Sequence, residues 1–229
     1  MNFNLTHLAI LVDRSGSMSS IKDDMEGGLK SLVEEQKKAP GDIVVSLYQF
    51  DNAFDTIVEN ASVDCLNDYT LTPRGGTALH DATGRSIIQL GKNLRETPEK
   101  ERPGKVLFVI ITDGGENCSR EFTSKQVKDL IKEQEEKYNW KFAYIGANQD
   151  SFAVGGNIGV SRGSTMNYVA DSIGVRKMSE TLGTYVCSAK LSTNSSEFSS
   201  ISFNGSNDEK EGSPVKQFTT TSKKKTVTV

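Results

Sequence analysis

Residues 5–17 read LTHLAILVDRSGS, an apolar run that stops at a carboxylate. Leu5 to Val12 reads as a strand buried on both faces, the mark of a parallel sheet. Asp13-Arg14-Ser15-Gly16-Ser17 follows at its carboxyl end. Downstream, Ser19–Lys38 carries Ile21, Met25, Leu29, Leu32 and Val33 at a spacing of three to four. That spacing predicts an amphipathic helix, with Ser19 or Ser20 as its cap, and Pro40-Gly41 ends it. Asp42–Phe50 is a second buried strand. Asn52 and Ala53 form a tight turn into a third strand, Phe54–Val58, and so short a connection implies antiparallel pairing.

Further along, residues 60–77 form a long loop that ends in Pro73-Arg74-Gly75-Gly76-Thr77. A helix is predicted over Ala78–Leu94, with Ala82, Ile87, Ile88 and Leu90 available to the core. Lys105–Thr112 (KVLFVIIT) is the most apolar run and the expected central strand, and Asp113 follows it at once. Then come a polar helix over Ser124–Lys137, a strand over Trp140–Gly146, a short helix over Asp150–Ile158 and an edge strand over Thr165–Val169. A final helix over Asp171–Lys190 is weakened by Gly174 and Gly183. Strands alternating with helices predict an α/β fold: an open, Rossmann-like, mostly parallel sheet with helices on both faces. Residues 1–190 make one domain. From Leu191 the composition turns to Ser, Thr, Asn, Gly and Lys, so 191–229 reads as a flexible polar tail. A docked extension is the rival, because Val215, Phe218 and Thr226-Val227-Thr228-Val229 have some strand character.

The 229 residues hold 27 basic and 30 acidic side chains, a net charge of -3. With no basic face interleaved with aromatics, nucleic acid is disfavoured as a partner. Three scattered cysteines, Cys65, Cys118 and Cys187, give neither a disulfide framework nor a zinc pattern, and they fit reduced thiols in the cytoplasm. No signal segment precedes the first strand, and no apolar run approaches the roughly 18 residues of a membrane span. Gly156-x-x-Gly159 does not follow the first strand, so it is no dinucleotide fingerprint, and no Gly-Lys-Ser or Gly-Lys-Thr loop occurs. The Lys223-Lys224-Lys225 run reads as a solvated segment.

In open α/β sheets, ligands bind beyond the carboxyl ends of the strands near the switch in strand order. Three segments deliver oxygen-bearing side chains there: Asp13 to Ser17, Gly75-Gly76-Thr77 and Thr112-Asp113-Gly114. Two carboxylates and at least three hydroxyls, without thiolate or imidazole, suit a hard cation, Mg²⁺, Mn²⁺ or Ca²⁺. Each piece alone has a plainer reading. Asp13 and Ser15 could cap a helix, Thr77 could cap the next, and Asp113-Gly114 could be a turn. Together, at one sheet edge, they read as a metal site. Around it, Asp81 reads as an exposed helix carboxylate or a loop anchor. Glu116, Asn117, Cys118, Asn148, Gln149 and Asp150 are candidate rim groups, while His7 reads as structural.

Asp13-x-Ser15-x-Ser17, a threonine after Gly75-Gly76, and Asp113 at a Thr-Asp-Gly strand end resemble the von Willebrand factor A domain family with its metal-ion-dependent adhesion site. Arg74-Gly75-Gly76-Thr77-Ala78-Leu79-His80-Asp81-Ala82 is similar to the second motif of its single-domain bacterial and phage members. The motifs lie in order, about sixty and then thirty-six residues apart, and the resemblance covers about residues 5–190. It implies a six-stranded sheet of order 3-2-1-4-5-6 with the third strand antiparallel. It also implies that Ser15, Ser17 and Thr77 coordinate the ion through hydroxyls, while Asp13 and Asp113 act mostly through bound waters. The function it implies is non-enzymatic binding of a protein partner that supplies an Asp or Glu carboxylate. Two alternatives stay open: a metal-assisted phosphoester hydrolase, and a scaffold whose metal is purely structural.

Overall fold

The computed structural model describes residues 1–203. Six strands form one sheet in the order β3-β2-β1-β4-β5-β6. They are β1 (Asn2–Asp13), β2 (Asp42–Phe50), β3 (Phe54–Ala61), β4 (Pro103–Thr112), β5 (Trp140–Ala147) and β6 (Thr165–Tyr168). Only β3 runs antiparallel, against β2, as the short Asn52-Ala53 connection requires. The helices are α1 (Lys22–Lys38), α2 (Leu79–Glu96), α3 (Ser124–Tyr138), α4 (Ser151–Asn157), α5 (Ser172–Leu191) and α6 (Ser195–Ser200).

Side-chain alternation sorts the two faces. Leu8, Ile10 and Val12 of β1 join Leu107, Val109 and Ile111 of β4 beneath α1 and α5. Ala9 and Leu11 join Val106, Phe108 and Ile110 beneath α2 and α3. Continuous apolar strands are therefore what a two-faced core demands, and each large side chain fully buried there contributes about 1.5–3 kcal/mol. The start of α1 differs from expectation. Residues Gly16–Ile21 wind a 3-10 turn first, so neither Ser19 nor Ser20 caps the helix. Ser19 Oγ instead donates to Gly16 O at 2.7 Å. Asp23 and Asp24 in the first turn of α1 complement the helix dipole in the absence of a cap.

At the opposite edge of the sheet, two buried lysines fasten helix ends. Lys105 Nζ donates to the carbonyls of Lys190 and Ser192 at 2.7 and 3.1 Å, and Lys190 Nζ to those of Gln36 and Ala39 at 2.7 and 2.9 Å. Carbonyls at the C-terminal ends of α5 and α1 thus take the place of carboxylate partners. Burial pushes both ammonium pKa values down.

The domain boundary needs correction. The expected flexible tail began at residue 191, yet the chain stays packed through Phe203. Asn194 caps α6 by accepting from Glu197 N at 3.0 Å, Phe198 is fully buried, and the Phe203 ring stacks on Tyr185 at 4.3 Å between centroids. Two aromatic anchors within a serine-rich stretch suffice to dock it, and average composition conceals them. Val215, Phe218, Lys223-Lys224-Lys225 and Thr226–Val229 lie outside the described residues.

Phe198→Ala should destabilise the protein by about 3–5 kcal/mol in denaturant titration, as emptying a buried aromatic site does. A second expectation concerns His7, whose Nε2 lies 2.9 Å from Ser46 Oγ and whose pKa burial lowers from 6.5 to about 4. Between those values the unfolded chain binds a proton that the folded chain refuses, so stability falls as pH falls through this window. His7→Gln should flatten that part of the stability–pH curve.

Candidate metal centre

Strand order reverses between β1 and β4, and the loops leaving these two parallel neighbours diverge. That opens a cleft at their carboxyl ends. Thr112 Oγ1, on the last residue of β4, donates to Asp13 Oδ2 at 2.6 Å. Asp13 Oδ1 accepts from Ser15 N at 2.6 Å. Ser15 Oγ lies 3.0 Å from Ser17 Oγ, which donates to Asp113 Oδ1 at 2.6 Å. Four of the expected residues are therefore joined in one hydrogen-bonded run. Thr77 comes in from the third loop. A Cβ on Gly114 would stand 3.4 Å from Thr77 Oγ1 and 3.5 Å from Ser17 Oγ, so both hydroxyls flank that glycine. The structure thus brings Asp13, Ser15, Ser17, Thr77 and Asp113 together. Ser17 faces solvent, and the other four are buried.

The capping readings of Ser15 and Thr77 do not hold, while Asp113 and Gly114 do lie in a bend. Ala78, not Thr77, occupies the cap position of α2, and no side chain caps that helix. Ser15 stands before the 3-10 turn without a side-chain capping bond.

The electrostatics are unusual for a helix cap or a turn. Burial pushes the Asp13 pKa up to about 6, against the hydrogen bonds from Thr112 and Ser15 that favour its charge. Burial also raises Asp113, whose Oδ2 is buried without a hydrogen-bond partner. Two arginines adjoin the site in sequence, but Asp51 takes both. Arg14 Nε and Arg74 Nε lie 3.1 and 2.6 Å from Asp51 Oδ2. Arg14 Nη2 lies 2.6 Å from Asp55 Oδ2, an ion pair by distance but not a well-aimed hydrogen bond. Burial alone would raise the Asp51 pKa; bonds from Arg74 and Ala53 N and the charge of Arg14 more than reverse it. Among the described residues, the site's own carboxylates have no basic partner.

Polar side chains stitch the three loops. Gly75 adopts φ +68°, a left-handed turn that suits glycine. Its carbonyl accepts from Gly16 N at 3.2 Å, and Arg74 N donates to Arg14 O at 2.8 Å. Asn52 Oδ1 accepts from Gly76 N at 2.7 Å, and Asn117 Oδ1 from Thr77 N at 2.9 Å. Asp81 is not merely an exposed helix carboxylate. It accepts the amides of Arg120, Glu121 and Phe122, each at 2.8 Å, and so anchors the loop after β4 to α2. Glu116 does the same in reverse, accepting from His80 N at 2.9 Å as well as from Cys118 N and Ser119 N.

Among the rim candidates, Gln149 Nε2 donates to Gly114 O at 3.1 Å and Asn148 Nδ2 to Asp113 O at 3.4 Å. Asp150 instead caps α4. Burial and nearby carboxylates raise the Cys118 pKa, the opposite of what activates a thiolate. Asp51 and Asn52 escaped the sequence reading. Their position directly after β2, level with Arg14 after β1, is the signal that marks them.

Among the described residues, no group of three or more His, Cys, Asp or Glu side chains is placed to hold an ion. A cation in this cleft would have to use hydroxyls.

No family model and no curated protein matches the sequence. Solved structures match in fold. One is proximal thread matrix protein 1 from the mussel byssus, 16% identical over 80% of this chain and 46% of that one, with a TM-score of 0.59. The same mussel protein with a zinc-occupied MIDAS motif, the metal-ion-dependent adhesion site, aligns at 17% identity and a TM-score of 0.59. A variant of the PilB minor pilin from Streptococcus sanguinis is 14% identical over 82% of this chain and 63% of the pilin, with a TM-score of 0.56. The fold is of the von Willebrand factor A type. The chain spans about half the length of the mussel protein, and at these identities the likeness is one of fold.

Asp81→Ala leaves three loop amides without their acceptor. At about 1–3 kcal/mol for a group left unsatisfied, somewhat relieved by solvent, stability should fall by about 2 kcal/mol. Hydrogen exchange at residues 120–122 should accelerate while α1 and α5 stay protected.

Proposed function

We propose that this chain is a protein-binding module that works through one divalent cation. The observation carrying this reading is the pair of buried carboxylates, Asp13 and Asp113, hydrogen-bonded into a run of hydroxyls and, among the described residues, without a basic partner, with Asp113 Oδ2 unsatisfied. Buried charge of one sign calls for a counter-charge. The donor set fits a hard cation. Ser15, Ser17 and Thr77 would hold it through their hydroxyls; Asp13 and Asp113 would orient those hydroxyls and bound waters. When bound, the cation supplies an electrophilic coordination position for an external carboxylate oxygen, which an Asp or Glu of a protein partner provides. Oxygen-only donors favour Mg²⁺, with Mn²⁺ and Ca²⁺ next; zinc, the ion held by the mussel protein, ranks behind them here.

The motif set supports an intact adhesion site of the single-domain bacterial or phage kind. Free thiols at Cys65, Cys118 and Cys187 support a reducing, cytoplasmic setting. Among the described residues, no helix is long and apolar enough to cross a membrane. The reading is non-enzymatic. Arg14 and Arg74, the cations nearest in sequence, are engaged by Asp51 and cannot clamp a phosphoryl group without releasing it.

Calorimetric titration with Mg²⁺ and Mn²⁺ tests the proposal. Wild type should bind, and Asp13→Ala combined with Asp113→Ala should show no binding at concentrations that saturate wild type. Equal affinity in the two would sink the reading. Because Asp13 is held near 6, protons should compete, and affinity should drop as pH falls from 7 to 5. Metal-dependent turnover of a generic phosphoester would favour the hydrolase instead. Partner capture that survives EDTA, with the fold intact, would favour a structural metal.

A further inference from the structure

Among the buried polar atoms near the carboxyl end of the sheet that lack partners within the described residues, two lie on one face: Asp113 Oδ2 and the hydroxyl of Tyr168. Register relates them. Thr112 pairs with Gly146, so Asp113 stands beside Ala147, and Ala147 pairs with Tyr168. Two strand spacings put their backbones roughly 10 Å apart. Both side chains lie on the sheet face covered by α1 and α5. Tyr168 packs there with Ala147 and Val175, and Asp113 Oδ1 bonds Ser17 on the turn that leads into α1. On that face Ala147 stands between them in the register. The negative charges of Asp113 and Asp13 reach the hydroxyl and, after burial itself, hold its pKa above the ordinary tyrosine value.

We infer that Tyr168 is a positioning residue for the cation site, donating toward Asp113 Oδ2 across one buried water. The inference rests on the metal-binding reading above. Ser17 holds one oxygen of Asp113 and Tyr168 the other, so the carboxylate cannot rotate. The oxygen facing Ser17 then stays turned toward the hydroxyl ligands. The tyrosine touches neither ion nor partner and acts only through Asp113. Tyr144 serves as the internal contrast. Its hydroxyl accepts from Gln149 Nε2 at 3.0 Å, and its ring packs on the opposite face, under α2 and α3.

The test compares full-length wild type, Tyr168→Phe and Tyr144→Phe. The readouts are Mn²⁺ affinity by calorimetry, the EPR linewidth of bound Mn²⁺, and the melting temperature of the metal-free protein. Tyr168→Phe removes a hydroxyl with no direct partner among the described residues, so its metal-free melting temperature should hold or rise. Its Mn²⁺ affinity should fall on the order of 10-fold, the usual loss when a group orienting a metal ligand is removed. The bound-ion spectrum should broaden as Asp113 loses its fixed orientation. Tyr144→Phe should bind like wild type. Unchanged affinity and spectrum in Tyr168→Phe, beside a wild type that binds, would overturn the positioning role alone. A weaker affinity matched by an equal loss of metal-free stability would also overturn it, assigning Tyr168 to packing. No Mn²⁺ binding by wild type would overturn the metal reading and this role with it.

Discussion

The parallel pairing of β1 with β4 is the constraint on which the rest depends. It sets Val12 against Ile111, so Asp13 and Thr112 leave the sheet side by side and bond at 2.6 Å. Because the side-chain period of a strand is two, a slip of one residue would turn Asp13 to the other face and carry every core side chain of β1 with it. The apolar sets on the two faces differ in size and shape. Leu8, Ile10 and Val12 meet α1 and α5, while Ala9 and Leu11 meet α2. Core packing thus fixes the register, and the register aligns the carboxylates. The site inherits its precision from hydrophobic contacts that never touch it.

Charge is partitioned with the same economy. Asp51 follows β2 one strand away from Asp13 and holds the side chains of Arg14 and Arg74. Without that acceptor, two guanidiniums flanking the cleft would neutralise Asp13 and Asp113, and a cation would gain little there. Asp81 and Glu116 divide another task between them by accepting loop amides. Both are held below the usual carboxylate range by those bonds, which outweigh burial. Carboxylates of one residue type thus play three parts within a few loops: uncompensated, ion-paired and amide-bound.

Legibility in the sequence followed periodicity. Strands with long apolar runs and helices with a spacing of three to four were readable to within a few residues, because burial on two faces leaves no other pattern. Asp13, Ser15, Ser17, Thr77 and Asp113 were readable because each sits at a strand end or after a glycine turn. Asp51 and Asn52 were not, since their meaning lies in the arginine and glycine amide they meet across loops distant in sequence. The tail boundary failed for a related reason. Phe198 and Phe203 are two anchors in a polar stretch, and whether two anchors dock depends on the surface presented by β5 and α5, which local composition does not describe. The 3-10 turn at Gly16–Ile21 was hidden too. Serines able to cap a helix carry no signal of how tightly the preceding chain must turn to bring Ser15 and Ser17 side by side.

Unsatisfied polar atoms mark where these levels of order disagree. An unpartnered buried group weakens a fold by about 1–3 kcal/mol. Asp113 Oδ2 and the Tyr168 hydroxyl both stand at the carboxyl edge of the sheet, while the buried lysines at the opposite edge find two carbonyls each. At the amino end helix termini satisfy both lysines, although Arg102 Nε and Asn139 Nδ2 there also lack partners among the described residues. The carboxyl end keeps carboxylate density that packing alone would have replaced with leucine or valine. Selection for stability does not by itself place buried carboxylates there, because Asp113→Leu in an otherwise unchanged core would remove a desolvated charge. It is the arrangement expected where a fold gives up stability at one edge so that a charged ligand can restore it.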